Sequence, residues 1–364
     1  MNRSFSVYLD LVRFLAAVLV YMYHSNQRFL SEAILPMSSY GHSSVIVFFV
    51  LSGFVIAYVT DTKENRFSSY AASRTSRVFS VTVPAIALTL LLDTIGRSLY
   101  PAIYSGYPYD QFILRTLGSL LLGNEIWFVS ITSFSNVPYW SICYEWWYYV
   151  AFAFIVFLPR YWGLLMAAIL MLTLGPKVLL LAPIWGLGVL LYRSRTMLEI
   201  SLGMAWTLAI LSVAGILVFH YLDLSDIATE WLKSKIGEDL HKNLTFSKFF
   251  IADYLLGLLV FGNFLAMRRI LQEHSFGLSL IEKPVRFVAG LTFTLYLLHQ
   301  PLFLFWGAVV QGNPKDSGYW WSVTGLMFLS VILVGYFTEN KRHILKRWLE
   351  TQLLRIPKLR TTAP

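Results

Sequence analysis

Residues 5–25 read FSVYLDLVRFLAAVLVYMYHS, a run long and apolar enough to cross a lipid bilayer as one helix. Two ionisable side chains, Arg13 and His24, interrupt this run where lipid would exclude them. Eleven positions along an α-helix return to within about 20° of the same face, so the two side chains share one stripe, about 16 Å apart along the axis. Asp10, one turn before Arg13, lies on a neighbouring position of that stripe.

Two interpretations without a catalytic or binding role compete with the functional interpretation of this segment. A cleaved signal peptide is disfavoured, because Asp10 and Arg13 interrupt the apolar run and no small-residue cleavage pattern follows. The other is an Asp10–Arg13 pair that anchors the inner interface, with His24 at the outer headgroup level. Since ionisable groups inside spans usually face a bundle interior or a watery cavity, we treat Arg13 and His24 as candidate functional residues.

The composition places the whole chain in a membrane. Of 364 residues, 57% are hydrophobic and 13% charged, against about 25% charged in soluble domains. The net charge of +9 comes from basic residues in short gaps between apolar runs and in the C-terminal tail. This distribution is typical of membrane topology rather than of nucleic-acid binding. A single cysteine, Cys143, excludes an internal disulfide framework and a cysteine-based metal cluster, and we expect no metal.

Windows of about 20 apolar residues predict an all-α integral membrane protein, a bundle of about ten transmembrane helices. The fifth and sixth predicted spans are short, and one broken hairpin is the alternative for them. The stretch 112–124 is apolar but short, so we interpret it as interfacial or re-entrant, with an eleventh span as the alternative. The ten predicted spans are 5–25, 43–60, 78–98, 138–158, 162–174, 177–192, 201–222, 248–267, 285–310 and 318–337.

The distribution of basic residues predicts the orientation. With the N-terminus inside, the inner pieces carry 18 lysines and arginines and the outer pieces carry 7. This asymmetry places both termini in the cytoplasm, which requires an even number of spans. We expect residues 1–340 to form one transmembrane domain and 341–364 a basic cytoplasmic tail. The largest outer segment, 99–137, is a candidate substrate vestibule.

A second group of candidates precedes the third span. Residues 70–77 read YAASRTSR, so Arg74 and Arg77 share a face if the helix begins here. Two planar guanidinium groups near a helix N-terminus suit a ligand that carries phosphate. Ordinary positive-inside charge is the alternative interpretation.

A third group opens the fourth span, where residues 140–149 read WSICYEWWYY. Glu145 is spaced four residues from both Ser141 and Tyr149, and a carboxylate at this depth needs a partner. We expect that partner to be Arg13, or Glu145 to orient a histidine. An interfacial aromatic belt explains Trp140 but not Glu145. Transient acylation of Cys143 is a weaker alternative to inert packing.

A fourth group lies in the ninth span, where residues 295–302 read LYLLHQPL. Pro301 is expected to kink the helix and free a carbonyl group, with His299 near the middle of the membrane. A satisfied core histidine is the competing interpretation. Asp253 and His220 are weaker candidates of the same kind.

Taken in order along nearly the whole chain, these motifs resemble the acyltransferase-three family of integral-membrane O-acyltransferases. The resemblance rests on five features: Arg13 and His24 with ten residues between them, FFVLSGF at 48–54, Arg74-x-x-Arg77, Trp140-Ser141 with Glu145 and Tyr148-Tyr149, and YLLHxP at 296–301.

The resemblance implies transfer of an acetyl or other short acyl group from cytoplasmic acyl-CoA to a hydroxyl of a glycan or lipid-linked saccharide. It implies a multi-pass protein of the bacterial cytoplasmic membrane, in contact with membrane lipids. Many relatives carry an extracytoplasmic SGNH-type domain, and this chain resembles the stand-alone members. Whether a partner completes the transfer, and whether the protein is a homo-oligomer, stays open.

Roles for the candidate residues follow from this resemblance together with their chemistry. A neutral His24 can take the proton of a sugar hydroxyl, or His24 or a tyrosine can carry the acyl group. Arg13 and Glu145 complete the expected catalytic set. Coenzyme A is expected to be held by Arg74, Arg77 and Tyr70, and substrate by Trp140, Ser141, Tyr149, Tyr296 and His299.

A transporter or flippase of a lipid-linked sugar is the rival function, with the buried charges lining its path. A structural scaffold ranks last, because it leaves Arg13, His24 and Glu145 unexplained.

Overall fold

Helices make up most of the chain that the structure, a computed structural model, describes: residues 2–29, 35, 37–194 and 199–353. The predicted all-α membrane bundle is confirmed. The only strands within these residues are β1 (Glu125–Ile126) and β2 (Val129–Ser130), an antiparallel pair. In chain order the helices are α1 (Arg3–Phe29), α2 (Gly41–Thr62), α3 (Phe67–Leu99), α4 (Phe112–Leu120), α5 (Trp140–Phe157), α6 (Arg160–Leu174), α7 (Pro176–Arg193), α8 (Leu202–Tyr221), α9 (Leu224–Ile236), α10 (Glu238–Asn243), α11 (Phe250–Glu273), α12 (Glu282–Ala289), α13 (Thr292–Val310), α14 (Ser317–Phe337) and α15 (Arg342–Leu353).

A helix stands at each of the ten predicted spans. Eight helices within the described residues are long and apolar enough to cross a membrane: α1, α2, α3, α7, α8, α11, α13 and α14. The other two are the aromatic-rich α5 and the 15-residue α6, which at about 22 Å is shorter than a bilayer core of about 30 Å. An eleventh span at 112–124 is excluded, because α4 has nine residues.

The fifth and sixth predicted spans form two helices that meet at a sharp turn. Gly175 ends α6 with φ of +90°, and Pro176 begins α7. A Cβ at Gly175 would lie 2.7 Å from the Cα of Trp127, so both the backbone angle and the space require glycine. The predicted basic tail begins with α15, and residues 354–364 lie outside the described residues.

The central helix α2 packs against α1, α5, α7 and α11. Its contact with α7 is backbone to backbone: a Cβ at Gly53 would lie 2.0 Å from the carbonyl oxygen of Trp185, and a Cβ at Gly188 would lie 1.9 Å from that of Val50. Only glycine permits this approach. It brings Trp185 of α7 beside Ser52 of α2, which matters for the site described below.

The outer segment 99–137 is folded onto the bundle by buried polar contacts. The ammonium group of Lys177 donates to the Glu125 carboxylate and to the carbonyl of Val129, and both charged side chains are almost fully buried. The Asn136 amide donates to the Leu297 carbonyl at 2.8 Å. This is the carbonyl that Pro301, four residues later, leaves without its helical donor. The predicted free carbonyl is confirmed, although α13 remains one helix.

Candidate functional site

A cavity of about 350 Å³ lies among the first halves of α1, α3, α5 and α13, the middle of α2, the helix α12 and the loop after α14. By the predicted orientation its charged end faces the cytoplasm. It brings together seven of the eleven predicted site residues and several others. The lining includes Asp10, Arg13, Phe48, Ser52, Arg74, Arg77, Ser141, Glu145, Tyr149, Arg286, Tyr296, Glu339, Asn340 and Arg342.

Five guanidinium groups line this cavity, and they differ in how far they are already paired. Arg74 donates to both carboxylate oxygens of Glu64, at 2.8 and 2.9 Å, and both side chains are buried. Arg13 contacts Asp10 at 3.1 Å, and Arg286 contacts the same carboxylate at 2.6 Å.

Arg77 and Arg342 differ from these three. Within the described part of the chain, neither guanidinium group makes an ion pair within 4 Å or a hydrogen bond. Arg77 lies among the more distant charges of Glu64, Glu145 and Glu339. These two arginines are therefore available to an anionic ligand, whereas Arg74 is neutralised by Glu64.

Glu145 lies deeper in the cavity and is held by hydroxyl groups. Its carboxylate accepts hydrogen bonds from Ser52 Oγ at 2.5 Å and from the Tyr149 hydroxyl. The Trp185 indole in turn donates to Ser52 Oγ at 3.2 Å. The expectation that Arg13 or a histidine would be its partner was wrong, because Arg13 pairs with Asp10 and the histidines lie farther along the bundle.

Ser141 and Tyr296 close the inner part of the cavity. Their hydroxyl oxygens lie 2.6 Å apart, joining α5 to α13, and both side chains are buried. The Tyr296 ring also contacts Phe48, with ring centroids 5.2 Å apart, and His299, at 6.4 Å. Tyr296 is thus the side chain between the cavity and the histidines.

His24 and His299 form a pair of imidazoles with centroids 5.3 Å apart and planes tilted by 35°. His299 is fully buried. Its Nδ1 lies 3.1 Å from the Leu295 carbonyl, while its Nε2 has no hydrogen-bond partner within the described residues. Neither histidine is among the residues that line the cavity. The stripe on α1 therefore leads from Arg13 in the cavity to a histidine pair behind Tyr296. A buried polar atom without a partner is uncommon and marks a place where a ligand atom could bind.

Two predicted binding residues lie behind the lining. The Tyr70 hydroxyl donates to the Tyr149 carbonyl at 2.8 Å and ties α3 to α5. Trp140 stacks on Phe246, with centroids 4.4 Å apart and planes 4° from parallel. Both side chains are buried and shape the cavity from outside. Their direct contact with ligand stays a prediction.

The weaker candidates lie elsewhere. Asp253 pairs with His42 at 2.9 Å, and His220 lies 3.0 Å from Ser43 Oγ. Cys143 is fully buried, with its thiol directed at the Leu122 carbonyl, so it does not face the cavity. Among the residues that the structure describes, no group of three histidine, cysteine or acidic side chains is arranged to hold a metal ion.

The lining residues that sequence reasoning missed include Ser52, Arg286, Glu339 and Arg342. Ser52 stood inside the quoted FFVLSGF motif, so its hydroxyl in an apolar span was a usable signal. Glu339 accepts from the Thr294 backbone and hydroxyl, both at 3.1 Å. Arg286 lay at the start of the predicted ninth span and was not considered, and Arg342 was counted as an ordinary basic residue of the cytoplasmic tail.

Comparison with known proteins identifies one family. A family model described as an acyltransferase domain, that of the acyltransferase-three family, matches residues 6–339, nearly the whole chain. No curated protein and no solved structure gives a significant match. The match includes the cavity residues from Asp10 to Glu339, and Asn340 and Arg342 lie beyond it.

Proposed function

The chain belongs to the acyltransferase-three family, and on that premise we propose that this membrane acyltransferase moves an acetyl or other short acyl group from cytoplasmic acyl-CoA to a hydroxyl of a glycan or lipid-linked saccharide. The proposed setting is the bacterial cytoplasmic membrane. One observation carries the proposal: a single cavity joins Arg77 and Arg342, which form no ion pair with any described residue, to a hydroxyl and carboxylate cluster that leads to His24 and His299.

The donor end of the site is the arginine-rich mouth. Coenzyme A carries phosphate groups, and guanidinium groups bind phosphate through charge-assisted hydrogen bonds. Arg77 and Arg342 supply such donors without first breaking an ion pair. Arg74, already held by Glu64, contributes positive charge and fixes the start of α3. The narrow, thioester-bearing arm of the donor then extends toward Ser141 and Tyr296.

The acceptor end is the histidine pair. In a direct transfer, an imidazole nitrogen of His24 takes the proton of the acceptor hydroxyl as its oxygen bonds to the thioester carbonyl carbon, while His299 lies beside it. The carbon–sulfur bond then breaks, and the thiolate leaves and is protonated to coenzyme A thiol. In the relayed alternative, His24 or a tyrosine attacks the thioester carbonyl and becomes acylated as the carbon–sulfur bond breaks and coenzyme A thiol leaves. The acceptor hydroxyl then attacks this acyl group and restores the free side chain. In both routes the acyl group passes Tyr296.

Glu145 is proposed to stabilise positive charge that develops during transfer and to fix Tyr149 and Ser52 in the cavity wall. Arg13 is proposed to lie across the cavity from Glu145, near the thioester of the donor, with Asp10 holding its guanidinium group in place. Neither role needs the direct Arg13–Glu145 contact that the sequence suggested.

Purified protein in liposomes tests this function. Acetyl-CoA and an extract of envelope glycans are supplied, and free coenzyme A thiol and acylated glycan are measured. We expect thiol release that depends on acceptor and is absent from protein-free liposomes. Movement of a lipid-linked sugar without thioester consumption would instead establish the transporter. Mass spectrometry of glycans from cells with and without the gene would identify the acceptor.

A further inference from the structure

A second, larger cavity of about 1,100 Å³ runs between α5, α6 and α7. It lies on the far side of α5 and α7 from the cavity of the candidate functional site. We call it the α5–α7 groove. Its walls are almost entirely apolar. They include Tyr148, Ala151, Phe152, Leu164, Ala167, Ala168, Met171, Leu179, Ala182, Trp185, Gly186 and Val189.

Small side chains keep this groove open. Four alanines line it, and a Cβ placed on Gly186 would meet no atom within 4 Å. By contrast, Gly188, two residues along the same helix, is pressed against the backbone of α2. One face of α7 is therefore packed and the other leaves room. The groove exceeds the roughly 300–1,000 Å³ of pockets for small ligands, and its elongated apolar walls suit hydrocarbon chains.

Charge marks one end of the groove. Arg160 begins α6 and Arg193 ends α7, and both line the groove. By the predicted orientation, this is the cytoplasmic end. Within residues 2–29, 35, 37–194 and 199–353, neither guanidinium group makes an ion pair or hydrogen bond. Basic pockets between helices on the cytoplasmic side bind anionic lipid headgroups.

We propose that the α5–α7 groove is a binding site for one anionic glycerophospholipid of the cytoplasmic leaflet. Its acyl chains lie along the alanines and Gly186, and its phosphate lies between Arg160 and Arg193. The charge complementarity selects this occupant over a neutral lipid, because the two arginines at the rim have no other counter-ion among the described residues.

The α5–α7 groove is connected to the cavity of the candidate functional site through Trp185. Trp185 lines the groove, and its indole nitrogen donates to Ser52 Oγ, which donates to Glu145. A lipid chain against Trp185 therefore restrains the ring that supports the Glu145 cluster. The lipid site itself does not depend on the proposed reaction, since its evidence is the groove and its two arginines.

Native mass spectrometry of the purified protein tests the site. Dioleoyl phosphatidylglycerol and dioleoyl phosphatidylcholine, which share their chains and differ in net charge, are titrated separately. We expect one tightly held phosphatidylglycerol and no comparable phosphatidylcholine. Replacing both rim arginines (R160Q and R193Q together) should weaken phosphatidylglycerol binding roughly 25-fold, about fivefold for each charge. The matched control, K63Q with R66Q, removes two exposed charges of the same membrane side outside the groove and should leave binding unchanged.

Filling the groove gives a second test. G186L places a side chain in the open space and should expel the lipid, while G325L, also at a glycine with no atom near its Cβ, should not. An unchanged melting temperature for G186L would show that the fold persists. Equal binding of the two lipids, equal loss in the K63Q/R66Q control, or full lipid binding by G186L would each overturn the proposal. A dimer that dissociates in G186L while lipid binding stays unchanged would also overturn the proposal. A second copy of the chain would then be the occupant of the groove.

Discussion

Arg74 and Arg77 lie one helical turn apart, and their environments predict opposite consequences of mutation. Arg77 is free to bind phosphate, so R77Q should raise the KM for acyl-CoA about tenfold and leave the fold intact. R74Q leaves the Glu64 carboxylate buried without its partner, which should cost about 3–5 kcal/mol of stability. Thermal melting and steady-state kinetics separate the two effects.

The matched control for this pair is R66Q, an exposed arginine just before α3 that does not line the cavity. It should change neither KM nor melting temperature. If R74Q raised KM while R77Q did not, the donor phosphates would bind at Arg74, and the distinction drawn from the Glu64 pair would be wrong.

Ser52 joins Trp185 to Glu145 through its hydroxyl group. S52A removes a hydrogen bond to a carboxylate, an interaction of about 1.5–3 kcal/mol, and should lower kcat roughly tenfold or more with little change in KM. S44A is the control in the same helix, since Ser44 Oγ donates to the Tyr40 carbonyl of its own chain segment. Equal kcat for S52A and wild type would show that the Glu145 cluster is not needed for turnover.

Residue spacing predicted only part of these contacts. The four-residue spacing of Glu145 and Tyr149 became a hydrogen bond, because neighbours on one helix face are set by local geometry. The partners Ser52 and Glu64 come from other segments, and helical periodicity does not say which segments meet. The sequence thus left Arg13 with two candidate partners, Asp10 one turn away and Glu145 in another span, and the structure pairs it with Asp10.

At the scale of elements, α13 is tied to the outer loop by the Asn136–Leu297 hydrogen bond. N136A should cost about 1–3 kcal/mol, because it strands a buried carbonyl group. P301A restores the N–H donor four residues after Leu297, so the double variant N136A/P301A should recover much of the loss. Denaturation of wild type, N136A, P301A and the double variant gives the coupling energy between the two substitutions. Additive losses would show that the Leu297 carbonyl is not what Asn136 satisfies.

The sequence predicted which segments form helices better than it predicted where those helices begin and end or which helices pack together. Apolar runs located ten helices, eight of which are long and apolar enough to cross a membrane within the described residues. The α2–α7 contact depends on Gly53 and Gly188, and a glycine in an apolar run does not reveal which helix it faces. The hairpin β1–β2 was missed, since its two-residue strands are too short to give an alternating pattern.

For the whole molecule, orientation follows from charge. Eight spans and ten spans are both even, which predicts that both termini lie on one side, and the excess of basic residues on that side predicts that it is the cytoplasmic one. Cysteines introduced at Lys346 and at Asp239 should react with an impermeant maleimide from the inside and the outside respectively. The one native cysteine, Cys143, is buried and should stay unlabelled. Labelling of both sites from the same side would contradict this topology.

The central claim is that acyl transfer passes from the arginine-lined cavity to the histidine pair on the other side of Tyr296. The most direct measurement is acceptor acylation by H24A, with H343A, an exposed histidine of α15, as the control. We expect H24A to insert normally and lose about 10²–10⁴-fold in transfer rate, the usual contribution of a general base. H343A should be unaffected. Full acylation by a correctly inserted H24A protein would contradict the account.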